Sequence, residues 1–374
     1  MPCATLACTG ATCRLFMTGV RTMTVLERIL ATALAPWLRF RSRPGRVQAA
    51  LAGLDYAPAA QPQLPRVRVA AVQFDIGLAP SAEAFARHAY NCARQAVAGG
   101  AGLVIFPEYT TLPLLGLLPA AQRLAAWLDK PNQTLEVSET AEAYSTMAMA
   151  LRLAAPAARR VYWETFSTLA VRFRVTLLAG SAIELGAGGR LFNVAYLFGP
   201  DGALLARQVK THLVPSEVLM GYGVGEEIVV ADTPAGKLAF PVCMDHTYFE
   251  PARIAVLQGA ELLIDPAANN EYYEAYAQAR GVWNRVQEAR CYGVFCGAIG
   301  RVAGIVFQGR SGIYAPLDLT PSGDGVLAAA AEVEREQVVF GDLDYEALRA
   351  YRRRQPLEFN RTLYRRYLPE ANSR

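Results

Sequence analysis

The chain lacks any uninterrupted run of about 18 apolar residues, the length that a membrane-spanning helix requires. It also lacks internal repeats and low-complexity tracts. The net charge of +4 across 374 residues is too small to indicate a nucleic-acid partner by itself. Seven cysteines are spread without the close pairs that metal sites use, so a reduced, cytoplasmic setting is the simplest interpretation.

The composition is typical of one large globular α/β domain. Hydrophobic residues make up 53% of the chain and charged residues 19%, which excludes a mostly disordered protein. Ser81 is predicted to cap a helix that ends at Gly99 and packs Cys92 against a sheet. Short apolar runs predict strands at residues 67–74, 103–106, 176–181, 193–198, 204–209, 238–242, 262–266, 292–299, 311–315, 325–328 and 338–343.

Cys243 lies where one of these strands ends and a helical pattern begins. Unpaired backbone N–H groups and the positive end of a helix favour a thiolate at such a position. A cysteine in an apolar run is, taken alone, more often a small core residue. Its functional interpretation therefore depends on the other residues that the fold brings near it.

Glu108 and Lys210 also follow predicted strands directly. The carboxyl ends of strands are where α/β proteins form their sites. A carboxylate, an ammonium group and a thiol are a working set for nucleophilic acyl transfer. A surface ion pair would explain Glu108 and Lys210 without catalysis, but it leaves the third strand end, at Cys243, unexplained.

On these stretches the chain resembles the nitrilase (carbon–nitrogen hydrolase) superfamily. The resemblance covers roughly residues 66–343 and rests on the runs at 106–108, 210–213, 243–245 and 309–316. Two departures follow the cysteine and bear on the substrate subclass. Met244 stands where the family usually has an aromatic residue, and Phe-Glu-Pro at residues 249–251 replaces the usual Phe-Pro-Glu.

The resemblance implies a four-layer α-β-β-α sandwich that pairs into an eight-layer homodimer, with no metal or organic cofactor. It implies that Glu108 is the base, Cys243 the nucleophile and Lys210 an oxyanion stabiliser, together with a backbone N–H at or next to Met244. Glu217 matches the family's second glutamate and would orient the substrate or Lys210.

The pocket around these residues is predicted from sequence proximity. Tyr109, Met244, His246 and Asn269 are the candidate substrate-binding residues, whereas His212 is expected to pack or to hydrogen-bond the backbone. Residues 111–160 are expected either to roof the pocket or to be an inert surface insertion.

Two terminal segments lie outside the resemblance. Residues 1–65 form an N-terminal extension whose first part has the composition of a targeting segment, although a translation start at Met17 or Met23 is the plainer explanation. Residues 25–40 predict a basic amphipathic helix that packs on protein, with weak membrane-surface contact as the alternative. Residues 57–65 predict a linker, and residues 344–374 a basic tail at a subunit interface.

The leading functional hypothesis is an amidase-like hydrolase that acts on a small, non-peptide amide and releases ammonia or a small amine through a thioester. An N-carbamoyl amide hydrolase and a nitrilase use the same machinery on carbamoyl and nitrile substrates. A catalytically silent scaffold protein and an enzyme recruited to a membrane by residues 25–40 are the alternatives of a different class.

Overall fold

The computed structural model describes residues 23–123, 141–302, 304–357 and 360–367. In chain order, the α-helices of this part are α1 (Val25–Arg41), α2 (Pro44–Leu51), α3 (Ala82–Ala98), α4 (Ala141–Phe173), α5 (Pro215–Met220), α6 (Phe249–Leu257), α7 (Ala275–Ala279), α8 (Val282–Ala289), α9 (Tyr345–Arg354) and α10 (Arg361–Tyr367). None of the described helices combines the length and the apolar character needed to cross a membrane.

Eleven of the thirteen described strands lie close to predicted positions. The strands are β1 (Arg66–Asp75), β2 (Leu103–Ile105), β3 (Thr176–Leu185), β4 (Leu191–Phe198), β5 (Leu204–Val209), β6 (Val230–Thr233), β7 (Gly236–Ala239), β8 (Leu262–Ala267), β9 (Tyr292–Val302), β10 (Ile305–Phe307), β11 (Gly312–Tyr314), β12 (Val326–Ala329) and β13 (Gln337–Asp344). Strands β6 and β10 were not predicted. The strand before the cysteine ends earlier than predicted, because Pro241 has no N–H for the ladder.

The strands form two six-stranded halves that meet at one edge. The first half has the order β13-β1-β2-β3-β4-β5 and the second β6-β7-β8-β9-β11-β12, with β10 extending β9. A two-residue parallel contact joins them, from Phe74 and Asp75 to Ala298 and Ile299.

Alternation along β1 explains how the two halves stack. Successive strand side chains point to opposite faces. Val67, Val69 and Ala71 pack against the second half, in a cluster that also contains residues of β8 and β9. Val72 and Phe74 face the other way and pack with α1 to α4. The second half is covered in turn by α6 and α8. The predicted α-β-β-α layering is confirmed, whereas the paired eight-layer dimer stays a prediction.

Helix α1 forms as predicted, but it buries a different face. Thr24 caps it through a capping box with Glu27. Leu38 is buried, and Glu27 forms a buried ion pair with Arg152 of α4 at 2.8 Å. By contrast, the apolar side chains of Leu26 and Ile29 in the same helix are both 60% exposed. The helix therefore packs on its own chain through a charged contact, and membrane-surface contact stays a prediction.

The segment at residues 111–160 is not an inert surface insertion where the structure describes it. Residues 124–140 lie outside the described part. Residues 141–173 form the single long helix α4, which runs through Pro156. Leu115 and Leu151 form a buried cluster with Tyr222 and are packed against Tyr109. This segment therefore supports one flank of the candidate site.

The basic tail begins with a helix that folds back on its own chain. Tyr345 and Leu348 of α9 are fully buried between the two sheets. Arg349 forms a two-pronged ion pair with Glu261, with both hydrogen bonds at 2.8 Å. These residues belong to the core of their own chain and are not available to a partner subunit. The predicted subunit interface therefore stays a prediction only for the part of the tail that follows α9.

Candidate active site

Glu108 is carried into the core by a strand that is buried on both faces. Residues 103–106 of this stretch are fully buried, and Glu108 is only 1% exposed. Gly180 makes room for the following turn, because its φ is +70° and a Cβ there would lie 1.8 Å from the Pro107 oxygen. Tyr109, itself at a positive φ of 56°, donates its N–H to Ser181 Oγ at 2.9 Å. The turn after β2 therefore holds the carboxylate in one orientation.

Lys210 follows β5 and places its ammonium group between two buried carboxylates. Its Nζ lies 2.8 Å from Glu108 Oε1 and 2.9 Å from Glu217 Oε2. All three side chains are at most 1% exposed. A charge removed from water requires a partner, and here each charged group has one.

Asn193 of β4 links the same two carboxylates, and the sequence analysis did not identify it. Its Nδ2 donates to Glu108 Oε1 at 2.7 Å and to Glu217 Oε1 at 3.2 Å. Its backbone oxygen accepts the Lys210 N–H at 2.9 Å. The sequence feature that could have identified Asn193 is its position as a single polar residue inside the otherwise apolar run of residues 191–198.

Cys243 faces this cluster from the second sheet. It begins a single 3₁₀ turn, Cys243–Thr247, with a φ of 49°, a strained conformation for a residue with a side chain. The residue is partly exposed, unlike the buried Glu108 and Lys210. Its Sγ lies 3.9 Å from Asn269 Oδ1, and the Glu108 carboxylate is close enough to raise the pKa of the thiol. Glu108 Oε2 also accepts the N–H of Ala268 at 2.9 Å.

The electrostatics of the cluster favour a resting thiol. Burial and the Glu108 carboxylate raise the pKa of Cys243 well above its ordinary value, against the opposing effect of Lys210. The thiolate that a helix start favours is not expected as the resting form, because one short 3₁₀ turn does not outweigh burial beside a carboxylate. Nucleophilic attack requires a base that removes the thiol proton.

Glu108 is suited to that exchange. Burial raises its pKa, Lys210 lowers it, and the neighbouring Glu217 raises it. For Lys210, burial opposes the charge, but Glu108, Cys243 and Glu217 together raise its pKa well above the ordinary value. The lysine therefore stays charged while a proton moves between the carboxylate and the thiol.

Comparison with known proteins identifies the family of the chain. A family model described as carbon-nitrogen hydrolase matches residues 68–353, most of the chain. The chain belongs to the carbon–nitrogen hydrolase family.

Curated relatives of this chain include a protein named an omega-amidase. The chain is 28% identical over 297 residues to a probable hydrolase, YhcX, of Bacillus subtilis, covering 76% of this chain and 51% of that protein. It is 29% identical over 208 residues to the chloroplastic omega-amidase of Arabidopsis thaliana, covering 52% of this chain and 53% of that protein. The matched region thus spans about half the length of these curated relatives.

Solved structures of the nitrilase superfamily share the fold. Saccharomyces cerevisiae Nit3 superposes with a TM-score of 0.58 at 22% identity, covering 82% of this chain and 99% of Nit3. A mutant of the Nesterenkonia AN1 amidase superposes with a TM-score of 0.56 at 20% identity, covering 80% of this chain and 97% of the amidase. At these identities the likeness concerns the fold alone.

The four predicted substrate-binding residues lie in different settings in the hydrolase. Tyr109 donates its hydroxyl to Glu217, so it supports the charged cluster. Met244 is half-buried and follows Cys243 directly, and Asn269 Oδ1 lies near the Cys243 sulfur. The prediction for His246 is wrong. The His246 ring is completely buried. Its Nε2 lies 3.1 Å from the carbonyl oxygens of Pro241 and Ile264, so it contacts the backbone and not a substrate.

Burial of His246 predicts a pH-dependent stability. Burial lowers its pKa from 6.5 to about 4. Between pH 6.5 and pH 4 the unfolded chain binds a proton at this histidine, whereas the folded chain does not. The stability that the neutral, buried ring contributes is therefore complete above pH 6.5 and is lost as the pH falls towards 4. The shift corresponds to about 3 kcal/mol in the free energy of unfolding. We expect urea denaturation of His246→Gln to show a weaker loss of stability over this range than the parent. Equal slopes in the two proteins would contradict the assignment.

Asp245 joins the Lys210 loop to the Cys243 turn, a role that its place in the 243–245 run did not reveal. It is fully buried and accepts N–H groups from Thr211 at 3.0 Å, His212 at 2.6 Å and Val242 at 2.9 Å. Burial raises its pKa, but hydrogen bonds from the His212 side chain, the Val242 N–H and Thr211 lower it overall. The His212 ring also approaches this carboxylate, at 3.0 Å, which places it in a structural role as predicted.

Replacing Asp245 by asparagine tests this link. The amide presents an NH₂ group to backbone donors that need an acceptor, so we expect a loss of about 3 kcal/mol in the free energy of unfolding. A shift of Cys243 relative to Lys210 is expected to lower kcat/KM by about 10²-fold. Urea denaturation and steady-state kinetics measure both effects. Asp232→Asn is the matched control, since Asp232 is exposed; equal behaviour of the two variants would refute the role of Asp245.

A second buried acid was also missed by sequence reasoning. Asp265 of β8 is 3% exposed, and its Oδ1 has no hydrogen-bond partner. Burial and the nearby Glu108 raise its pKa well above the ordinary value. The signal was again a polar residue within an apolar strand, residues 262–267. Asp265 therefore adds a protonated carboxyl, not another negative charge, behind the nucleophile.

Proposed function

We propose that the hydrolase cleaves a small, non-peptide amide through a thioester on Cys243. The observation that supports this most is the position of Lys210 Nζ, which contacts Glu108 and Glu217 beside a partly exposed cysteine. This arrangement supplies a nucleophile, a base and a fixed positive charge at one place.

In the first half of the proposed reaction, Glu108 removes the thiol proton and the Cys243 sulfur attacks the amide carbon. Negative charge then develops on the carbonyl oxygen. Lys210 and the backbone N–H at or next to Met244 stabilise that charge. Glu108 returns the proton to the leaving nitrogen, and ammonia or a small amine departs.

In the second half, Glu108 takes a proton from water, and the water attacks the thioester carbon. The carbon–sulfur bond breaks, the thiol regains its proton, and the acid product leaves. Glu217 keeps Lys210 and Asn193 in place throughout, because its carboxylate contacts both. A neutral resting thiol suits this cycle, since the proton that the leaving group needs is stored in the cluster.

An amide is preferred over carbamoyl and nitrile substrates because of the relatives. One curated relative is named an omega-amidase and one structural neighbour an amidase. N-carbamoyl amides and nitriles remain the second candidates, since the same nucleophile and base serve all three.

Trapping of the acyl group tests this proposal. We expect short-chain amides to release ammonia, and hydroxylamine to divert the acyl group to a hydroxamate, because it competes with water for a thioester. Mass spectrometry of acid-quenched protein is expected to place the adduct on the peptide that contains Cys243. Parallel reactions with N-carbamoyl amino acids and nitriles compare the substrate classes. Ammonia release without any adduct or hydroxamate would overturn the thioester route.

A further inference from the structure

Three side chains with metal-binding atoms meet on the helix-covered face of the first sheet, apart from the catalytic cluster. The ligand atoms of His88, Cys92 and Glu336 all lie within 4.8 Å of one another. No other such cluster of three occurs among the described residues. The proposed hydrolysis uses none of these groups.

Two of the three come from one rigid helix. His88 and Cys92 are four residues apart on α3, so they lie on the same helical face. The helix is fixed at its start, where Ser81 Oγ accepts the Ala84 N–H at 3.1 Å. Glu336 immediately precedes β13, the strand that pairs with β1 over eight residues. The cluster is therefore set by the packing of α3 against the sheet and not by a loose loop.

Neighbouring groups orient the outer two side chains. The His88 ring stacks on Phe74, with centroids 4.3 Å apart and planes inclined by 18°. Glu336 Oε2 accepts the N–H of Asp75 at 3.2 Å. Such outer contacts hold metal ligands in place in known sites. The side chains of His88 and Glu336 are 33% and 37% exposed, so an ion and a water molecule can approach from solvent.

The ligand set selects the kind of ion. Imidazole nitrogen, thiolate sulfur and carboxylate oxygen together suit Zn²⁺ and similar transition-metal ions, whereas Ca²⁺ and Mg²⁺ prefer oxygen alone. We propose that His88, Cys92 and Glu336 bind one Zn²⁺ or a similar divalent transition-metal ion, with water as the fourth ligand. The thiolate and the carboxylate balance the two positive charges of the ion.

Binding requires two changes at the cluster. The Cys92 S–H bond breaks, the sulfur bonds to the metal, and the proton passes to solvent. His88 Nε2 and Glu336 Oε2, which are in hydrogen-bond contact, must separate to admit the ion between them. Without metal, burial and Glu336 raise the pKa of the Cys92 thiol; a cation in the cluster reverses the effect of that carboxylate.

The alternative is a clasp in which His88 and Cys92 hydrogen-bond to Glu336 and no ion binds. Calorimetric titration of the chelator-treated, full-length protein with ZnCl₂ separates the two. We expect about one equivalent of Zn²⁺ per chain and a raised melting temperature. His88→Gln and Glu336→Gln are expected to weaken binding by at least about 10-fold. Both side chains are partly exposed, so these variants should fold. Glu332→Gln is the matched control, an exposed acid on the same turn that should change nothing.

Titration with CoCl₂ identifies the sulfur ligand. We expect a thiolate-to-cobalt charge-transfer band that disappears in Cys92→Ser. The band should persist in Cys243→Ser and in a variant with Cys3, Cys8 and Cys13 all changed to serine. Absence of Zn²⁺ binding, or binding that survives both His88→Gln and Glu336→Gln, would overturn the proposal. A charge-transfer band that disappears in Cys243→Ser, or in the variant in which Cys3, Cys8 and Cys13 are changed, would also overturn the proposal. If Cys92→Ser does not fold, the two partly exposed variants decide the question.

Discussion

Replacement of Cys243 by alanine is expected to lower kcat/KM by about 10⁶-fold, the scale seen when a covalent nucleophile is removed. The substitution removes the sulfur that lies 3.9 Å from Asn269 Oδ1, beside the Glu108 carboxylate. Water must then attack the substrate directly, without the thioester that divides the reaction into two easier steps. Steady-state ammonia release from the substrate found active with the parent measures the loss.

Cys291→Ala is the matched control for that substitution. Cys291 is also a free cysteine, but it is completely buried in the cluster formed by α6, α8 and β9. Its replacement is expected to cost some stability and to leave kcat unchanged. General acid–base catalysis alone accelerates a reaction far less than it does in combination with a covalent nucleophile. A Cys243→Ala protein that retains more than about a hundredth of the parent activity would therefore exclude the covalent route.

Replacement of Lys210 by methionine is expected to damage both catalysis and folding. It removes a positive charge aimed at the developing oxyanion, which costs about 10²- to 10³-fold in kcat. It also leaves the buried carboxylates of Glu108 and Glu217 without their counter-charge, which costs about 3–5 kcal/mol in the free energy of unfolding. Urea denaturation and single-turnover kinetics separate the two effects. Lys237→Met is the control, because that side chain is half exposed.

The two effects of Lys210→Met should respond differently to a second change. Glu217→Gln removes one of the orphaned charges, so the double variant is expected to recover much of the stability but none of the activity. Unpaired buried carboxyls have raised pKa values and fold more readily when protonated. The stability of Lys210→Met relative to the parent should therefore improve as the pH falls. A pH-independent difference between them would show that the lysine does not neutralise these carboxylates.

These expectations depend on how charge is distributed in the cluster. One ammonium group faces two carboxylates directly, and a third acid, Asp265, lies behind the nucleophile. Burial favours neutral forms for Cys243 and Asp265. The resting cluster thus contains mobile protons beside a fixed positive charge, and that combination is what cleavage of an amide requires.

The sequence by itself singled out Cys243, Glu108 and Lys210, because each follows a short apolar run, and the structure places the three side chains close together. The end of an apolar run can be read directly from the sequence, and sites in α/β proteins form at such strand ends. The layered fold was predicted from the family resemblance, and the structure confirms it. The resemblance to the carbon–nitrogen hydrolases, confirmed by the family match, added the roles.

Only the tertiary structure decided which polar groups hold those residues and in what ionisation state. Asn193 and Asp245 act across sequence separations of 85 and 34 residues, which no local pattern reports. The resting thiol of Cys243 and the neutral, buried His246 follow from burial, and burial depends on neighbours distant in the chain. The same holds for α1, where the partner Arg152, 125 residues away, turns Glu27 inwards and leaves Leu26 in water.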